Sequence, residues 1–259
     1  MNKKLRSFII APKGKLLIAC DLSQAETWVV AYLAKEDGMK WALKNSDIHY
    51  ETAIAIFEEP RELITKEKRY TAKRVNHGSS YRMTPPKFVQ AYNADSEIPI
   101  VLEQARTWNG AWHNLYPNIK VWWNEIDYNL LQSRTMITPY GRSRTFYGQM
   151  NDELKKQATA HNPQSTVGDH FNGFIQYNGA NVKGGLREVY KRFKEQKEVK
   201  IINQSHDSCM LEVPSNEAID IVKEVKSILY RPIIINGEEC CIPVDSEVGD
   251  SWGTLEKVK

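Results

Sequence analysis

A short apolar run over residues 15–20 predicts a buried β-strand that ends at Asp21. Ser23 then stands where a helix N-cap would, and Glu26 follows three residues later, which is the capping-box pattern. Apolar residues continue at helical spacing to Tyr32. The pattern therefore predicts that Asp21 lies at the carboxyl end of a strand, just before a helix.

A long region from about residue 37 to residue 132 carries helical periodicity and is rich in aromatic residues. Its strongest helix patterns cover residues 47–57, 66–81 and 100–112. The pair Pro85-Pro86 is expected to end the second of these helices, because proline lacks an amide hydrogen and crowds the preceding turn. This region is therefore predicted to be mainly helical.

The remainder of the chain alternates strand and helix patterns. Two short strands are predicted within residues 135–146, then a helix over 152–161, and a second helix after Pro163 that ends near Tyr177. A hairpin over 200–213 with His206-Asp207 at its tip, an amphipathic helix over 216–230 and a hairpin over 233–244 turning at Asn236-Gly237 follow. The predicted organisation is one α/β unit split by a helical insertion.

Charge and cysteine content narrow the class of protein only slightly. Lys and Arg number 35 against 32 Asp and Glu, so any nucleic-acid surface must come from local clustering of cations. The four cysteines show no CxxC pair, which favours a reducing compartment over a disulfide framework. The N-terminal apolar run, residues 8–10, is too short for a signal peptide, and no membrane-length apolar segment occurs. We expect a soluble, intracellular protein without a membrane partner.

Two aspartates are the first candidates for chemistry. Asp21 and Asp207 each lie beside an apolar strand, at a strand end or a hairpin tip. Two carboxylates that converge from distant strands can hold two divalent cations, which clamp the attacking and leaving oxygens of a phosphoryl transfer. Mg²⁺ suits this use because it keeps several waters and needs few protein carboxylates. The alternative is that both are turn aspartates that bond their local backbone.

A second candidate is a polar helix face. Arg69, Lys73, His77 and Tyr81 are spaced by four and so share one side of a helix. Cations on such a face would neutralise a triphosphate, with a base stacked beyond them. Gly78 would allow close approach of another group. The alternative is a solvated basic face with the phenol packed on the core.

Two weaker patterns also point to phosphate. Asp47-Ile48-His49 begins a predicted helix, whose N-terminus attracts anions and where the imidazole would add a hydrogen bond. Plain helix capping is the alternative. A basic and polar set, consisting of Arg142, Arg144, Lys155, Lys156, Asn162 and Gln164, would track a nucleic-acid backbone or minor groove. A solvated surface is the alternative for this set.

Taken in order, these segments resemble the family A DNA polymerases of bacteria and bacteriophages. Residues 21–26 (DLSQAE) are similar to the first catalytic motif, DYSQIE. Residues 69–81 are similar to the fingers-helix motif, RxxxKxxxFGxxYG, and residues 204–208 (QSHDS) to the third motif, QVHDE. Further matches in the same order are residues 47–49, 140–142, 164–166 and 248–252.

The resemblance implies an α/β (α+β) fold: a right-hand polymerase palm with an antiparallel sheet and an inserted helical fingers subdomain. The palm is expected over residues 1–35 and 135–259, and the fingers over residues 36–134. Family members carry a helical thumb, and often an exonuclease, ahead of the first motif. Only 20 residues precede Asp21, so the thumb is expected to be missing and a separate thumb-bearing or exonuclease-bearing polypeptide becomes an expected partner.

The resemblance also implies roles for individual residues. Asp21 and Asp207 would hold two Mg²⁺ ions with help from the Leu22 carbonyl, and Lys73 would also donate a proton to the leaving pyrophosphate. The expected nucleotide-binding residues are Arg69, Lys73, His77, Tyr81, His49, Gln24 and Glu26, the last of which would exclude ribonucleotides. The expected DNA-binding residues are His206 and Gln204 at the primer end, and Gln164, Lys156 and Arg142 along the duplex.

The implied activity is addition of deoxynucleoside triphosphates to the 3′-hydroxyl of a primer paired with template DNA, in the cytoplasm of a bacterium or of a phage-infected host. The sequence departs from the family pattern at Leu22, Trp28, His77 and Ser208. Ser208 gives an HDS form similar to single-subunit RNA polymerases, so an RNA product is one alternative, although Glu26 favours DNA. A truncated, non-catalytic nucleic-acid-binding remnant is the other.

Overall fold

The computed structural model describes residues 3–173 and 184–258, so the helix end predicted near Tyr177 lies outside the described residues. The chain divides into two compact units. Unit 1 is drawn from residues 1–26, 138–142 and 164–259, and unit 2 from residues 27–137 and 143–163. None of the described helices combines the length and the apolar character needed to cross a bilayer.

The elements follow in chain order. The strands are β1 (Lys15–Leu22), β2 (Thr135–Ile137), β3 (Ser143–Thr145), β4 (Lys200–Ser205), β5 (Ser208–Pro214), β6 (Pro232–Ile235), β7 (Glu238–Cys241), β8 (Val244–Gly249) and β9 (Glu256–Lys257). The helices are α1 (Lys3–Arg6), α2 (Ala25–Leu33), α3 (Asp37–Asn45), α4 (Ile48–Phe57), α5 (Lys66–Ser80), α6 (Pro85–Asp95), α7 (Leu102–Leu115), α8 (Asn118–Ser133), α9 (Asp152–Asn172), α10 (Gly185–Phe193) and α11 (Ala218–Leu229). A 3₁₀ turn covers Arg61–Leu63.

Unit 1 is built on a five-stranded sheet in the order β4-β5-β1-β8-β9. The central strand β1 is antiparallel to both of its neighbours, β5 and β8. Leu17, Ile18, Cys20 and Leu22 of this strand are buried. Helix α11, whose buried residues include Ile221, Val225 and Leu229, packs on β1, β5 and β8. The predicted amphipathic helix and the antiparallel palm-type sheet are thereby confirmed.

Unit 2 is mainly helical. Helix α4 packs against both α5 and α7, and α7 also packs against α6. Trp112 of α7 and Tyr116 just beyond it are fully buried, with their rings 5.5 Å apart in an edge-to-face arrangement. Burying such large aromatic side chains supplies much of the hydrophobic stabilisation that holds the helices together.

Both predicted hairpins are confirmed. The chain turns at His206-Asp207 between β4 and β5, and at Asn236-Gly237 between β6 and β7. Asn236 and Gly237 have φ values of 53° and 82°, the left-handed pair that a tight type I′ hairpin turn requires. The pairing of β2 with β3 confirms the short strands within residues 135–146.

Three local predictions need correction. Helix α2 begins at Ala25, so Gln24, whose φ is 54°, and not Ser23, immediately precedes it. Pro85-Pro86 does not merely end a helix; it begins α6, because a proline in the first turn sacrifices no helical hydrogen bond. Helix α9 continues through Pro163, since one lost hydrogen bond in a long, packed helix bends it more readily than it breaks it.

Candidate active site

The two predicted metal-binding aspartates come together in unit 1. Asp21 is the seventh residue of β1 and lies opposite Ser208, the first residue of β5. The Leu22 N–H donates to the Asp207 carbonyl oxygen at 3.0 Å. The end of β1 and the tip of the β4–β5 hairpin are therefore hydrogen-bonded neighbours, although they are far apart in sequence.

A third carboxylate stands beside this pair. Asp245 on β8 is the direct partner of Asp21 in the antiparallel register, and both residues are exposed. Residues opposite each other in a sheet point to the same face, and two like charges in that relation repel each other. Sequence reasoning missed Asp245, because only the register of two distant strands reveals its position.

The surroundings of Asp207 disfavour its charged form. Burial raises the pKa of Asp207 above its usual range, and the nearby charge of Glu26 acts in the same direction. Carboxylate and carbonyl oxygens are the donors that Mg²⁺ prefers. Within residues 3–173 and 184–258, no cluster of three or more His, Cys, Asp or Glu side chains is disposed to hold a metal. Two carboxylates suffice for Mg²⁺ when water and phosphate oxygens complete its coordination.

Glu26 and His206, the expected ribonucleotide gate and primer-end residue, are also neighbours. Their side chains approach to 3.6 Å between His206 Nε2 and Glu26 Oε1. His206 has a φ of 29°, a backbone conformation that non-glycine residues seldom adopt outside tight turns. Gln24 and Gln204 are exposed on the same unit. The structure thus brings Asp21 near Asp207, and Glu26 near His206, within unit 1.

Helix α5 of unit 2 presents the predicted polar face. Thr65 caps its N-terminus by accepting a hydrogen bond from the Lys68 amide. Lys73 and His77 are exposed, and the rings of His77 and Tyr81 lie 5.3 Å apart in an edge-to-face arrangement. The four-residue spacing therefore places Lys73, His77 and Tyr81 on one side of α5, and the nucleotide-binding role of this side stays a prediction.

Gly78, which lies on the same helix, has a close neighbour at the position that a side chain would take. A Cβ atom placed on Gly78 would lie 3.0 Å from the sulfur of Met83. The close approach predicted at this glycine is therefore made by a methionine of the following turn.

Asp47 connects the other predicted triphosphate ligands, Arg69 and His49. One Asp47 oxygen accepts from the His49 and Tyr50 amides at 2.8 and 3.4 Å, which caps α4. The other accepts from Arg69 Nε and Nη2 at 2.9 and 2.6 Å. Burial by itself raises the pKa of Asp47, but the hydrogen bonds from Arg69 and the His49 amide outweigh it, and the pKa falls below its usual value. The same carboxylate therefore caps α4 and holds the Arg69 guanidinium.

The members of the predicted duplex-binding set differ in exposure and in hydrogen-bond partners. Arg142 donates to both oxygens of the buried Asp169, with contacts between 2.6 and 3.1 Å, so part of its charge is neutralised internally. Lys155 pairs with Asp127 at 3.0 Å. Asn162 is buried, which makes its side chain unavailable to a duplex. Arg144 extends over the Phe146 ring, whereas Gln164 is exposed and Lys156 is partly exposed.

Comparison with solved structures defines the fold. The POL domain of Pol1 from M. smegmatis, in a complex with DNA primer-template and dNTP, superposes with a TM-score of 0.79 at 19% identity. The match covers 97% of this chain and 42% of that one. The mixed α/β fold, with its antiparallel sheet and its helices, is therefore that of this POL domain.

Sequence comparison then gives the family. A model of DNA polymerase family A matches residues 1–254, and the chain belongs to that family. DNA polymerase I of Helicobacter pylori is 30% identical over 227 residues, covering 86% of this chain and 24% of the relative. DNA polymerase I of Borreliella burgdorferi is 27% identical over 260 residues, covering 98% and 27%, respectively. The chain thus spans about a quarter of the length of these relatives.

Proposed function

We propose that this chain is the catalytic region of a template-directed DNA polymerase. It would join deoxynucleoside triphosphates to a primer 3′-hydroxyl by two-metal-ion phosphoryl transfer. The observation that carries the proposal is the convergence of Asp21 and Asp207, joined through the hydrogen bond from Leu22 to the Asp207 carbonyl. The M. smegmatis POL domain was solved in a complex with primer-template DNA and dNTP, which supports the same classes of ligand for this chain.

Asp21, Asp207 and the Leu22 carbonyl would hold two Mg²⁺ ions. When bound, such ions supply Lewis-acid stabilisation of the attacking and leaving oxygens. The chain's own side chains would orient the triphosphate: Arg69 and Lys73 as cations, and His49 as a hydrogen-bond donor. Lys73 Nζ would deliver a proton to the leaving pyrophosphate. Catalysis would then consist of positioning and electrostatic stabilisation, as in other phosphoryl transfers.

The proposed subdomains are a palm over residues 1–35 and 135–259 and fingers over residues 36–134. The five-stranded sheet falls wholly within the proposed palm, and helices α4 to α7 fall wholly within the proposed fingers. A cytoplasmic location in a bacterium or a phage-infected host follows from the same proposal, since the relatives are bacterial polymerases. A separately encoded thumb-bearing polypeptide remains a proposed partner.

We also propose a deoxyribonucleotide preference set by Glu26, with Tyr81, His77 and Gln24 beside the incoming nucleotide. His206 and Gln204 would contact the primer end, and Gln164, Lys156 and Arg142 the duplex. An RNA product is the second candidate, because Ser208 stands where the family motif has glutamate and gives the HDS form of single-subunit RNA polymerases.

Primer extension by the purified chain tests the proposal. With Mg²⁺ and a labelled primer-template, we expect template-directed addition of deoxynucleotides that is lost in Asp21→Asn. Parallel reactions with ribonucleotides separate the two candidate products. Absence of addition under all conditions, together with normal folding and duplex binding, would identify a non-catalytic binding protein instead.

A further inference from the structure

A buried polar cluster joins α4, α5 and α7 within unit 2. Asn76 Oδ1 accepts hydrogen bonds from Trp112 Nε1 at 2.7 Å and from Thr52 Oγ1 at 3.0 Å. The Asn76 amide nitrogen lies 3.1 Å from His49 Nδ1. All four side chains are buried, and Asn76 is only 2% exposed. These hydrogen bonds are therefore shielded from competition with water.

The chemistry of the cluster fixes which atoms carry hydrogen. An indole nitrogen only donates, so the Asn76 atom that faces Trp112 must be the amide oxygen. The amide NH₂ then faces His49, and because an NH₂ group only donates, His49 Nδ1 must accept. A neutral imidazole has one proton, which is consequently on Nε2.

His49 is neutral under physiological conditions. Burial lowers its pKa to about 4, Arg69 and Lys73 act in the same direction, and Asp47 opposes them. The ring therefore offers one N–H donor from Nε2 and keeps that proton across the pH range in which an exposed histidine would titrate.

We propose that Asn76 is a positioning residue that holds His49 in its Nε2–H tautomer, aimed to donate a hydrogen bond to an oxygen of the incoming triphosphate. The inference rests on the proposed function, in which His49 contacts the triphosphate. Asn76 itself would not touch the nucleotide. Helix α5 then has two roles: its outer face carries Arg69 and Lys73, and its inner face sets the proton of a third ligand.

The tautomer can be measured without any activity assay. We expect ¹⁵N NMR of the histidine-labelled full chain at pH 7 to show His49 with an unprotonated Nδ1 and a protonated Nε2. His49→Gln assigns the signal. His113 is the internal reference for a buried histidine whose tautomer is not set by a hydrogen bond at Nδ1. Burial also lowers its pKa to about 4, but its Nδ1 has no hydrogen-bond partner among the described residues. A proton on His49 Nδ1 in the unmodified protein would overturn the inference.

Two variants separate positioning from folding. Asn76→Ala should give a mixture of His49 tautomers and raise KM for the deoxynucleotide about tenfold, the size expected for one lost hydrogen bond to a charged group, with a much smaller change in kcat. Thr52→Val is the matched control: it removes a donor to the same Asn76 oxygen but leaves the contact with His49. It should leave both the tautomer and KM unchanged. Equal effects of the two variants would reduce Asn76 to a packing residue.

The outcomes also distinguish this inference from the proposed function. A shifted tautomer in Asn76→Ala with unchanged KM would overturn the triphosphate contact of His49. If Asn76→Ala does not fold, Asn76→Asp replaces it, because a carboxylate retains the shape and can only accept. That variant should move a proton onto His49 Nδ1, and an unprotonated Nδ1 in it would count against the positioning role.

Discussion

Arg69 donates two hydrogen bonds to a single oxygen of Asp47, at 2.9 Å from Nε and 2.6 Å from Nη2. The second Asp47 oxygen caps α4 through the His49 amide. One carboxylate therefore fixes both a proposed cation for the triphosphate and the start of the helix that carries His49. Removing the Asp47 carboxylate should lower stability through the lost helix cap, and should weaken nucleotide binding through the lost contact with Arg69.

Asp47→Asn should lower stability at neutral pH but not in acid. The folded-state pKa of Asp47 is depressed, so its charge contributes stability above the unfolded-state pKa, and that contribution disappears as pH falls through the folded-state value. Asparagine caps helices about as well as aspartate, so the substitution isolates the partly exposed ion pair, worth up to about 1 kcal/mol. Urea unfolding at pH 7 and pH 3 measures this. A difference independent of pH would contradict the prediction.

Asp207→Asn should lower activity while stabilising the metal-free protein. Single-turnover incorporation should fall at least about a hundredfold, as when an electrostatic stabiliser of a transition state is removed. The folded-state pKa of Asp207 is raised, so its ionisation weakens the fold as pH rises through that value, and the neutral amide avoids this cost.

Thermal unfolding in EDTA at pH 7 should therefore show a higher midpoint for Asp207→Asn than for the unmodified chain. Asp21→Asn should lose activity to a similar degree, with duplex binding largely kept in both variants. Asp220→Asn, on the exposed surface of α11, is the control and should change neither property. Near-normal incorporation by Asp207→Asn would rule out its metal role.

Lys73→Ala and Arg74→Ala change adjacent residues but should affect different properties: nucleotide binding in the first variant and stability in the second. Lys73 is exposed on the polar face of α5, so its loss should raise KM for the nucleotide about tenfold or more. Arg74 donates to the carbonyl oxygens of Ala91 and Tyr92 and lies 4.6 Å above the Tyr92 ring. Its loss should instead cost about 1–3 kcal/mol of stability. Steady-state kinetics measure KM, and denaturation measures stability. An equal shift of KM in both variants would contradict the prediction.

Glu26→Ala should increase incorporation of ribonucleotides relative to deoxyribonucleotides. A smaller side chain would admit the 2′-hydroxyl, and selectivity is the ratio of kcat/KM for the two substrates. His206→Ala should cause a smaller change in the same direction, since it removes the group 3.6 Å from the Glu26 carboxylate. Competition assays with mixed ribonucleotides and deoxyribonucleotides measure this ratio. An unchanged ratio in Glu26→Ala would leave this residue with no gating role.

Local features of the fold were predictable because neighbouring residues determine them. The turn at Asn236-Gly237 follows from the left-handed backbone that these residues tolerate, and the α5 face follows from a four-residue spacing. Pro85 was not predictable in this way, because a proline both ends helices and begins them. The conformation of the flanking turn, and not the residue itself, decides between the two.

Relationships between distant segments lay beyond the sequence pattern. In the sequence, Asp245 is simply a polar residue in a strand of alternating pattern. Its place opposite Asp21 depends on the register of β1 with β8. In the sequence, Asn76 is simply a polar residue of a basic helix. Its contact with His49 depends on the packing of α4 against α5. Motif resemblance identifies candidate site residues, whereas the hydrogen bonds among them depend on the folded chain.

The position of β1 at the centre of its sheet has a consequence for the order of events during synthesis. Both of its partner strands, β5 and β8, are encoded far downstream, roughly 185 residues beyond Leu22 in the nearer case. At about 5–20 residues per second, a ribosome needs about 10–40 s to produce the nearer partner. Throughout that interval the apolar segment ending at Asp21 has no strand to pair with, while the whole of unit 2 has already been translated. We expect stalled nascent chains that end before β5 to contain a protease-resistant unit 2 and a segment over residues 15–22 that chaperones bind and proteases cleave. Protection of that segment before β5 emerges would show that another part of the nascent chain shelters it.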